Sequence, residues 1–421
     1  MLVFSQKKRA RDYGIEIGVL QTGKYNSITD VEGVKVGHTT IIEGDNIRTG
    51  VTAILPHSEN IFQSKVPAAI YIGNGFGKLA GYSQVKELGN IETPIILTNT
   101  LSVPIASDAL ISYTLQQKEN QDVYSVNSIV GETNDGWLND IRGQHVTKQD
   151  VLNAIINAKN GFIDEGNVGA GTGTSCFGYK GGIGTSSRII PNKYGNYTVG
   201  VMVQSNFGGI LQINGVPIAK EMDNYPRDYK YDVDGSCMIV VITDAPLKAR
   251  NLERLAKRAM MGLAKTGGIA SNGSGDYVIS VSTANNNLVP YESNVSILKT
   301  QELKNEAVTP LFLAVIEATE EAIINSLFAA ETMIGRENHK RETIPKDEVI
   351  SIMQKHNANL AMPIWPHFTT TLDEHTPTPT PDPPSVSRAH LPGPHRLRGS
   401  CTDTLMHIPV SYTHLTLPTK A

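Results

Sequence analysis

The sequence predicts a mixed α/β (α+β) fold in which strands outnumber helices. Three observations carry that reading. Short apolar runs of strand length recur through the second half of the chain, two stretches show helical spacing, and glycine-rich loops separate them. A simple alternating doubly wound sheet would need roughly one helix per strand, and the helical stretches are too few.

The elements follow in order. Tyr197-Thr198-Val199-Gly200-Val201-Met202-Val203 reads as a strand. Met238-Ile239-Val240-Val241-Ile242 is a continuous apolar run suited to a buried strand. Asp244-Ala245-Pro246 reads as a helix start, with a capping acid and a proline in the first turn. Leu252, Leu255, Ala259 and Leu263 continue it at helical spacing, and Gly267-Gly268 stops it. Tyr277-Val278-Ile279-Ser280-Val281 is a third strand. A long helix starts near Thr309-Pro310, carries Leu313, Ile316, Ile323, Ile324 and Leu327, and ends at Gly335. Residues 1–358 therefore read as a single domain. After them come Pro363, Pro366 and the run Thr376-Pro377-Thr378-Pro379-Thr380-Pro381-Asp382-Pro383-Pro384, which forms neither helix nor central strand. Residues 359–421 read as a disordered or foreign tail. Its histidines (His367, His375, His390, His395, His407, His414) follow no metal-ligand spacing.

Composition narrows the function. The chain has 421 residues, is 40% hydrophobic and 19% charged, and carries a formal net charge of −4. That is an ordinary soluble composition, without the basic excess of a nucleic-acid binder. No stretch approaches the roughly 18 apolar residues of a spanning helix. The opening Met1-Leu2-Val3-Phe4-Ser5-Gln6-Lys7-Lys8-Arg9 lacks the apolar core of a signal peptide. The three cysteines, Cys176, Cys237 and Cys401, lie far apart and fit a reduced, cytoplasmic protein. No GxSxG, HExxH or GxxxxGK[ST] motif occurs. Gly73-Asn74-Gly75-Phe76-Gly77-Lys78 resembles a phosphate loop only loosely and reads better as a tight turn.

Chemistry points to Asp234-Gly235-Ser236-Cys237, directly before the apolar run. A Gly-Ser pair is common turn material. In this context it also suits a self-processing nucleophile, because glycine lets the hydroxyl approach its own preceding carbonyl. An N-to-O acyl shift at Gly235–Ser236 would leave Ser236 as a new N-terminus. Its α-amine, with an ordinary pKa of about 7.7–8.0, would serve as a local base without histidine. Asn206, just after the first strand, is a turn residue or an oxyanion donor. Ser274 and Asp276, in Ser271-Asn272-Gly273-Ser274-Gly275-Asp276, belong to an Asx-type turn or to a hydrogen-bond chain reaching the nucleophile.

These segments, with Ser27–Val34, Val36–Thr39, Arg48–Pro56, Thr98–Val103, Gly131–Gly136 and Gly166–Gly173, resemble the DmpA-type aminopeptidases. That family includes L-aminopeptidase/D-esterases and beta-peptidyl aminopeptidases. The resemblance runs from about Arg9 to about Met353. It implies a four-layer αββα sandwich similar to N-terminal-nucleophile hydrolases and to ornithine acetyltransferases. It also implies autocleavage at Gly235–Ser236 into an α chain (1–235) and a β chain (236–358), with Ser236 as nucleophile. Asn206 matches the oxyanion-stabilising asparagine, and Ser274 and Asp276 match the pair that assists the nucleophile. Glu132 matches the carboxylate that holds the substrate's free amine. Position 134 is aromatic in some members and is Asn134 here, at the substrate side of the pocket. The implied substrates are small peptides, amides or esters with a free N-terminal amine. No metal or organic cofactor, nucleic acid or membrane is implied, and the implied assembly is a tetramer of cleaved protomers. An acyltransferase of ornithine-acetyltransferase type, an amide hydrolase for synthetic or cyclic oligomers, and a non-catalytic binding protein on the same scaffold are the alternatives. The first of these presents threonine as nucleophile, where this chain has Ser236.

Overall fold

The computed structural model describes residues 7–225, 235–294 and 296–356. Asp234 with residues 226–233 before it, the first six residues, Val295 and the proline-rich tail fall outside these.

Among the described residues, nine strands of five residues or more build two sheets. They are β1 (Lys35–Glu43), β2 (Ile47–Leu55), β3 (Ser64–Gly75), β4 (Ile95–Asn99), β5 (Ile129–Thr133), β6 (Gly182–Ile189), β7 (Thr198–Asn206), β8 (Ser236–Thr243) and β9 (Gly275–Ser282). The smaller sheet has the order β1-β2-β4-β5. The larger has Val289–Pro290, then β3-β9-β8-β7-β6, with Asn90–Ile91 also paired to β3. Helices α1 (Val103–Leu115) and α2 (Lys148–Ile156) contact the smaller sheet. Helices α3 (Ala249–Lys265) and α4 (Thr309–Ala329) contact the larger.

The period of two along each strand creates the layers. On β8, Cys237, Ile239 and Val241 join one apolar cluster with Leu252, Leu255, Ala259 and Val315 of the helices. The alternate residues Met238, Val240 and Ile242 join a second cluster with Ile54, Leu97 and Ile129 of the smaller sheet. On that sheet Val51, Ala53, Ile96 and Val130 face a third cluster with Ala106, Leu110 and Val151. Three apolar layers between four layers of backbone make an αββα sandwich. Among the described residues, only two neighbouring pairs of long strands, β4/β5 and β8/β9, are parallel, and each is joined across a helix, α1 and α3 respectively.

The strand expectations hold with longer bounds, and two helix boundaries differ. Helix α3 begins at Ala249, not at Asp244-Ala245-Pro246. The Asp244 carboxylate accepts a hydrogen bond from Thr198 N–H at 2.8 Å, so the acid satisfies a strand end instead of a helix end. Helix α4 stops at Ala329, and Gly335 lies in the turn of the hairpin Met333–Ile334/Lys340–Arg341. Leu313 is exposed on α4, while Leu311, Ala314, Val315 and Ala318 face the core. From Glu317 onward the helix is buried on every side, so no single apolar stripe exists to be read.

Candidate active site

Register brings the predicted residues to one edge of the larger sheet. Asn206, the last residue of β7, pairs directly with Ser236, the first of β8. Ser236 pairs in turn with Gly275, the first of β9. Asn206 and Ser236 are therefore strand residues, not loop residues as their turn-like neighbours suggested.

The Ser236 hydroxyl donates to the carbonyl oxygen of Gly235, its own preceding peptide, at 2.7 Å. Gly275 N–H is directed at the same place, 3.2 Å from Gly235 O and 3.3 Å from Ser236 Oγ. The Gly235 carbonyl thus has a hydroxyl and an amide donor upon it. Space requires the glycine. A Cβ at position 235 would lie 2.5 Å from Phe207 Cα and 2.6 Å from Asn206 O. The adjacent Cys237 thiol faces the helix-side core, and burial pushes its pKa well above the ordinary thiol value, so it does not compete as a nucleophile.

Asn206 is held by both ends of its amide. Ser175 N–H donates to Oδ1 at 2.9 Å, and Nδ2 donates to Asn134 O at 2.9 Å. The first bond fixes the orientation with the NH₂ group outward, leaving Nδ2 a second hydrogen. Asn134 takes part here through its backbone, and its side chain accepts from Gly136 N–H at 2.9 Å.

Ser274 and Asp276 flank Gly275. Both are buried, and among the described residues neither the Ser274 hydroxyl nor either Asp276 oxygen has a closed hydrogen bond. Burial raises the Asp276 carboxyl to about 6, partly opposed by the Ser274 hydroxyl and the Cys237 amide nearby. A buried acid next to an unpartnered hydroxyl is a pair poised for proton transfer. The loop carrying Ser274 is a turn, with Ser274 N–H on Ser271 O. Asn74 anchors it by donating from Nδ2 to Ser271 O at 2.9 Å, to Asn272 O and to Ser274 O. The Gly73–Lys78 stretch is thus neither a phosphate loop nor a tight turn. Its first half ends the long strand β3, and its second half walls the site.

Glu132 comes from the other sheet. Strand β5 runs parallel to β4 in the register Thr98↔Glu132 and Asn99↔Thr133. The Glu132 carboxylate accepts from Lys78 N–H at 2.8 Å and from the Thr100 hydroxyl. One cavity of about 370 Å³ is lined by Glu132, Thr100 and Lys78 together with Asn134, Asn206, Gly235 and Ser236. Phe76, Trp137, Ser175 and Arg341 complete much of the wall. Sequence reading assigned no role to Lys78, Thr100, Trp137, Ser175 or Arg341. Trp137 stacks on His339 with ring centroids 4.0 Å apart, and the Arg341 guanidinium lies 4.3 Å from the Trp137 ring. These contacts join positions 137 and 339–341, which no local signal relates.

The chain is similar to several known proteins. The profile of peptidase family S58 matches residues 26–341. The beta-peptidyl aminopeptidase BapA of Sphingosinicella microcystinivorans is 38% identical over 375 residues, covering 83% of this chain and 92% of that protein. Among solved structures, the PH0078 protein of Pyrococcus horikoshii OT3 is 49% identical at a TM-score of 0.78, covering 83% of this chain and 99% of its own. The L-aminopeptidase D-Ala-esterase/amidase of Ochrobactrum anthropi is 35% identical, with a TM-score of 0.78, and covers 84% of this chain and 100% of its own. That structure is described as a prototype for the serine aminopeptidases and a new variant among the Ntn hydrolase fold. The chain belongs to peptidase family S58, with the fold of that variant.

Proposed function

We propose that this protein is a self-cleaving serine aminopeptidase that releases N-terminal residues from small peptides, amides or esters. The observation that carries this reading is the row Asn206–Ser236–Gly275 in a cleft that also holds Glu132. In the maturation step Ser236 Oγ attacks the Gly235 carbonyl carbon. The peptide C–N bond breaks, the hydroxyl proton passes to the departing nitrogen, and an ester forms. Water hydrolyses that ester, leaving a carboxyl on Gly235 and a free α-amine on Ser236. Gly275 N–H is placed to support the charge on the Gly235 oxygen.

Turnover uses the same hydroxyl. Glu132 anchors the substrate ammonium, so only the first residue's carbonyl reaches Ser236. The Ser236 α-amine takes the hydroxyl proton, and Asn206 Nδ2 donates to the oxyanion. The remaining peptide leaves with a proton, and water releases the acyl group. Asp276 and Ser274 steady the protonation of the nucleophile. The relatives are aminopeptidases, which leaves the acyltransferase alternative without support.

The mature unit is read as an α chain 1–235 and a β chain 236–358, assembled as a tetramer. The buried free thiols Cys176 and Cys237 support a reduced, cytoplasmic setting. No described helix is long and apolar enough to cross a membrane.

The test is denaturing electrophoresis with intact mass and N-terminal sequencing. Two fragments are expected, one beginning Ser236-Cys237-Met238. A single chain that stays uncut after removal of the residues beyond 358 overturns the reading. Acetylation of the substrate amine is expected to abolish turnover, and equal hydrolysis of acetylated and free substrates removes the role given to Glu132.

A further inference from the structure

Arg341 closes the cleft with a positive charge that the proposed reaction does not use. It lies on the hairpin Met333–Ile334/Lys340–Arg341. Its Nε donates to Ser175 Oγ at 3.0 Å, and Ser175 N–H in turn holds Asn206 Oδ1. Its guanidinium lies against Trp137, which also stacks on His339, two residues earlier in the chain. Its one further hydrogen bond among the described residues is a long contact from Nη1 to Lys340 O at 3.4 Å. Among the described residues Arg341 has no acidic partner, whereas Arg9, Arg11 and Arg188 each have one. Burial lowers its pKa without an opposing carboxylate.

An arginine that is half buried, stacked in place and, among the described residues, without a hydrogen bond on Nη2 and with only the long Lys340 contact on Nη1 is preorganised for a planar anion. The cleft therefore has two poles. Glu132, with Thr100 and Lys78 N–H, forms the negative one. Arg341, beside Ser175 and Asn206, forms the positive one. A cavity of about 370 Å³ suits a ligand of few residues, at the small end of ligand pockets.

We propose that Arg341 binds the free carboxylate of the leaving group, so that the preferred substrate is a zwitterionic dipeptide with its ammonium at Glu132 and its carboxylate at Arg341. This deepens, and rests on, the aminopeptidase reading above. Arg341 is a specificity residue here and takes no part in bond making.

The experiment compares kcat/KM for matched pairs on the purified protein. Ala-Ala and Ala-Ala amide form one pair, and β-Ala-Ala and its amide another. Alanine p-nitroanilide, which has an amine but no carboxylate, reports the aminopeptidase reading alone. A charge-assisted pair worth about 1.5–3 kcal/mol predicts a preference of roughly 10- to 100-fold for the acid over the amide. In Arg341→Met that ratio is expected to collapse toward one, and in Arg341→Lys to survive in part. A purely structural role through Ser175 and Asn206 would lower acid and amide together and leave the ratio intact. Equal hydrolysis of acid and amide by the unsubstituted protein, or an unchanged ratio in Arg341→Met, overturns the carboxylate site while leaving the aminopeptidase reading standing. Turnover of the p-nitroanilide with no hydrolysis of any dipeptide also overturns it. Failure on every substrate, in protein shown to be cleaved before Ser236, removes both.

Discussion

Two buried polar regions of this molecule behave in opposite ways. Between β6 and α4, Arg188 is fully buried and completely partnered. It pairs with Glu317 at 3.1 Å and with Glu321 at 2.7 Å, and it donates to Ser186 Oγ, Ser187 O and Ile17 O. Glu321 also receives Arg11 and Asn26, and Glu317 receives Val19 N–H and Leu20 N–H. Burial alone would raise Glu321, yet Arg188 and Arg11 hold its pKa below the ordinary value. At the sheet edge, Asp276 and Ser274 are just as buried and have no closed partner among the described residues. Among the described residues no cation faces Asp276, so burial prevails and its pKa rises to about 6. Satisfied buried charge locks an interface between secondary elements. Unsatisfied buried polar groups are destabilising and are retained where chemistry needs them.

The comparison predicts which substitutions remove activity and which remove stability. The largest effect falls at the nucleophile. Ser236→Ala is expected to leave the chain uncut and to lower turnover by about a thousandfold or more, with a urea midpoint close to that of the parent. A processed Ser236→Ala protein would place the nucleophile elsewhere. Next comes the ion network. Arg188→Met leaves Glu317 and Glu321 buried without their shared cation and is expected to cost about 3–5 kcal/mol in urea unfolding. Retention of full stability would show that this region is as dispensable as a surface pair.

Asp276→Asn sharpens the contrast through pH. A carboxyl at about 6 is ionised only above that value, so activity that depends on its charge rises as pH increases through about 6. The stability sign is opposite. The folded pKa lies above the unfolded value of 3.8, so the fold binds the proton more tightly. Asp276 therefore contributes stability below about pH 4, and that contribution is lost as pH rises through about 6. Asp276→Asn is expected to remove the acidic limb of kcat/KM and to raise stability at pH 7 by roughly 1–3 kcal/mol. An unchanged limb near pH 6 would assign it to another group. The smallest effect is expected at Ser274→Ala, which deletes an unpartnered hydroxyl. Stability should change by less than about 1 kcal/mol while turnover falls by roughly 10- to 100-fold. A loss of stability comparable to that of Arg188→Met would place Ser274 in the first class of region, not the second.

The two regions were also unequally legible. Ser236, Asn206, Ser274 and Asp276 each adjoin an apolar run, so their positions at strand ends are written locally. Their meeting is not, because it depends on the registers Asn206↔Ser236 and Ser236↔Gly275 across segments separated by dozens of residues. Glu132 carries no local signal, and only the family resemblance marks it. The Arg188 network was not anticipated, since a buried arginine in a strand looks like any exposed one until its partners on α4 are known. Asp244 misled for a related reason. An acid before Ala-Pro satisfies an orphan N–H at a helix start or at a strand end, and only the neighbouring Thr198 decides between them.

By itself the sequence determined the strand-rich mixed fold, the runs that become β7, β8 and β9, the glycine that must precede the serine, and the candidate nucleophile. These rest on side-chain period, apolar content and backbone sterics, which act over a few residues. Tertiary structure alone decided that Lys78 and Thr100 hold Glu132, that Asn74 pins the loop of Ser274, and that Trp137 and Arg341 share one wall of the cleft. Each of those depends on strand pairing and layer packing between distant segments, where the free energy of a contact belongs to two places in the chain at once and is written in neither.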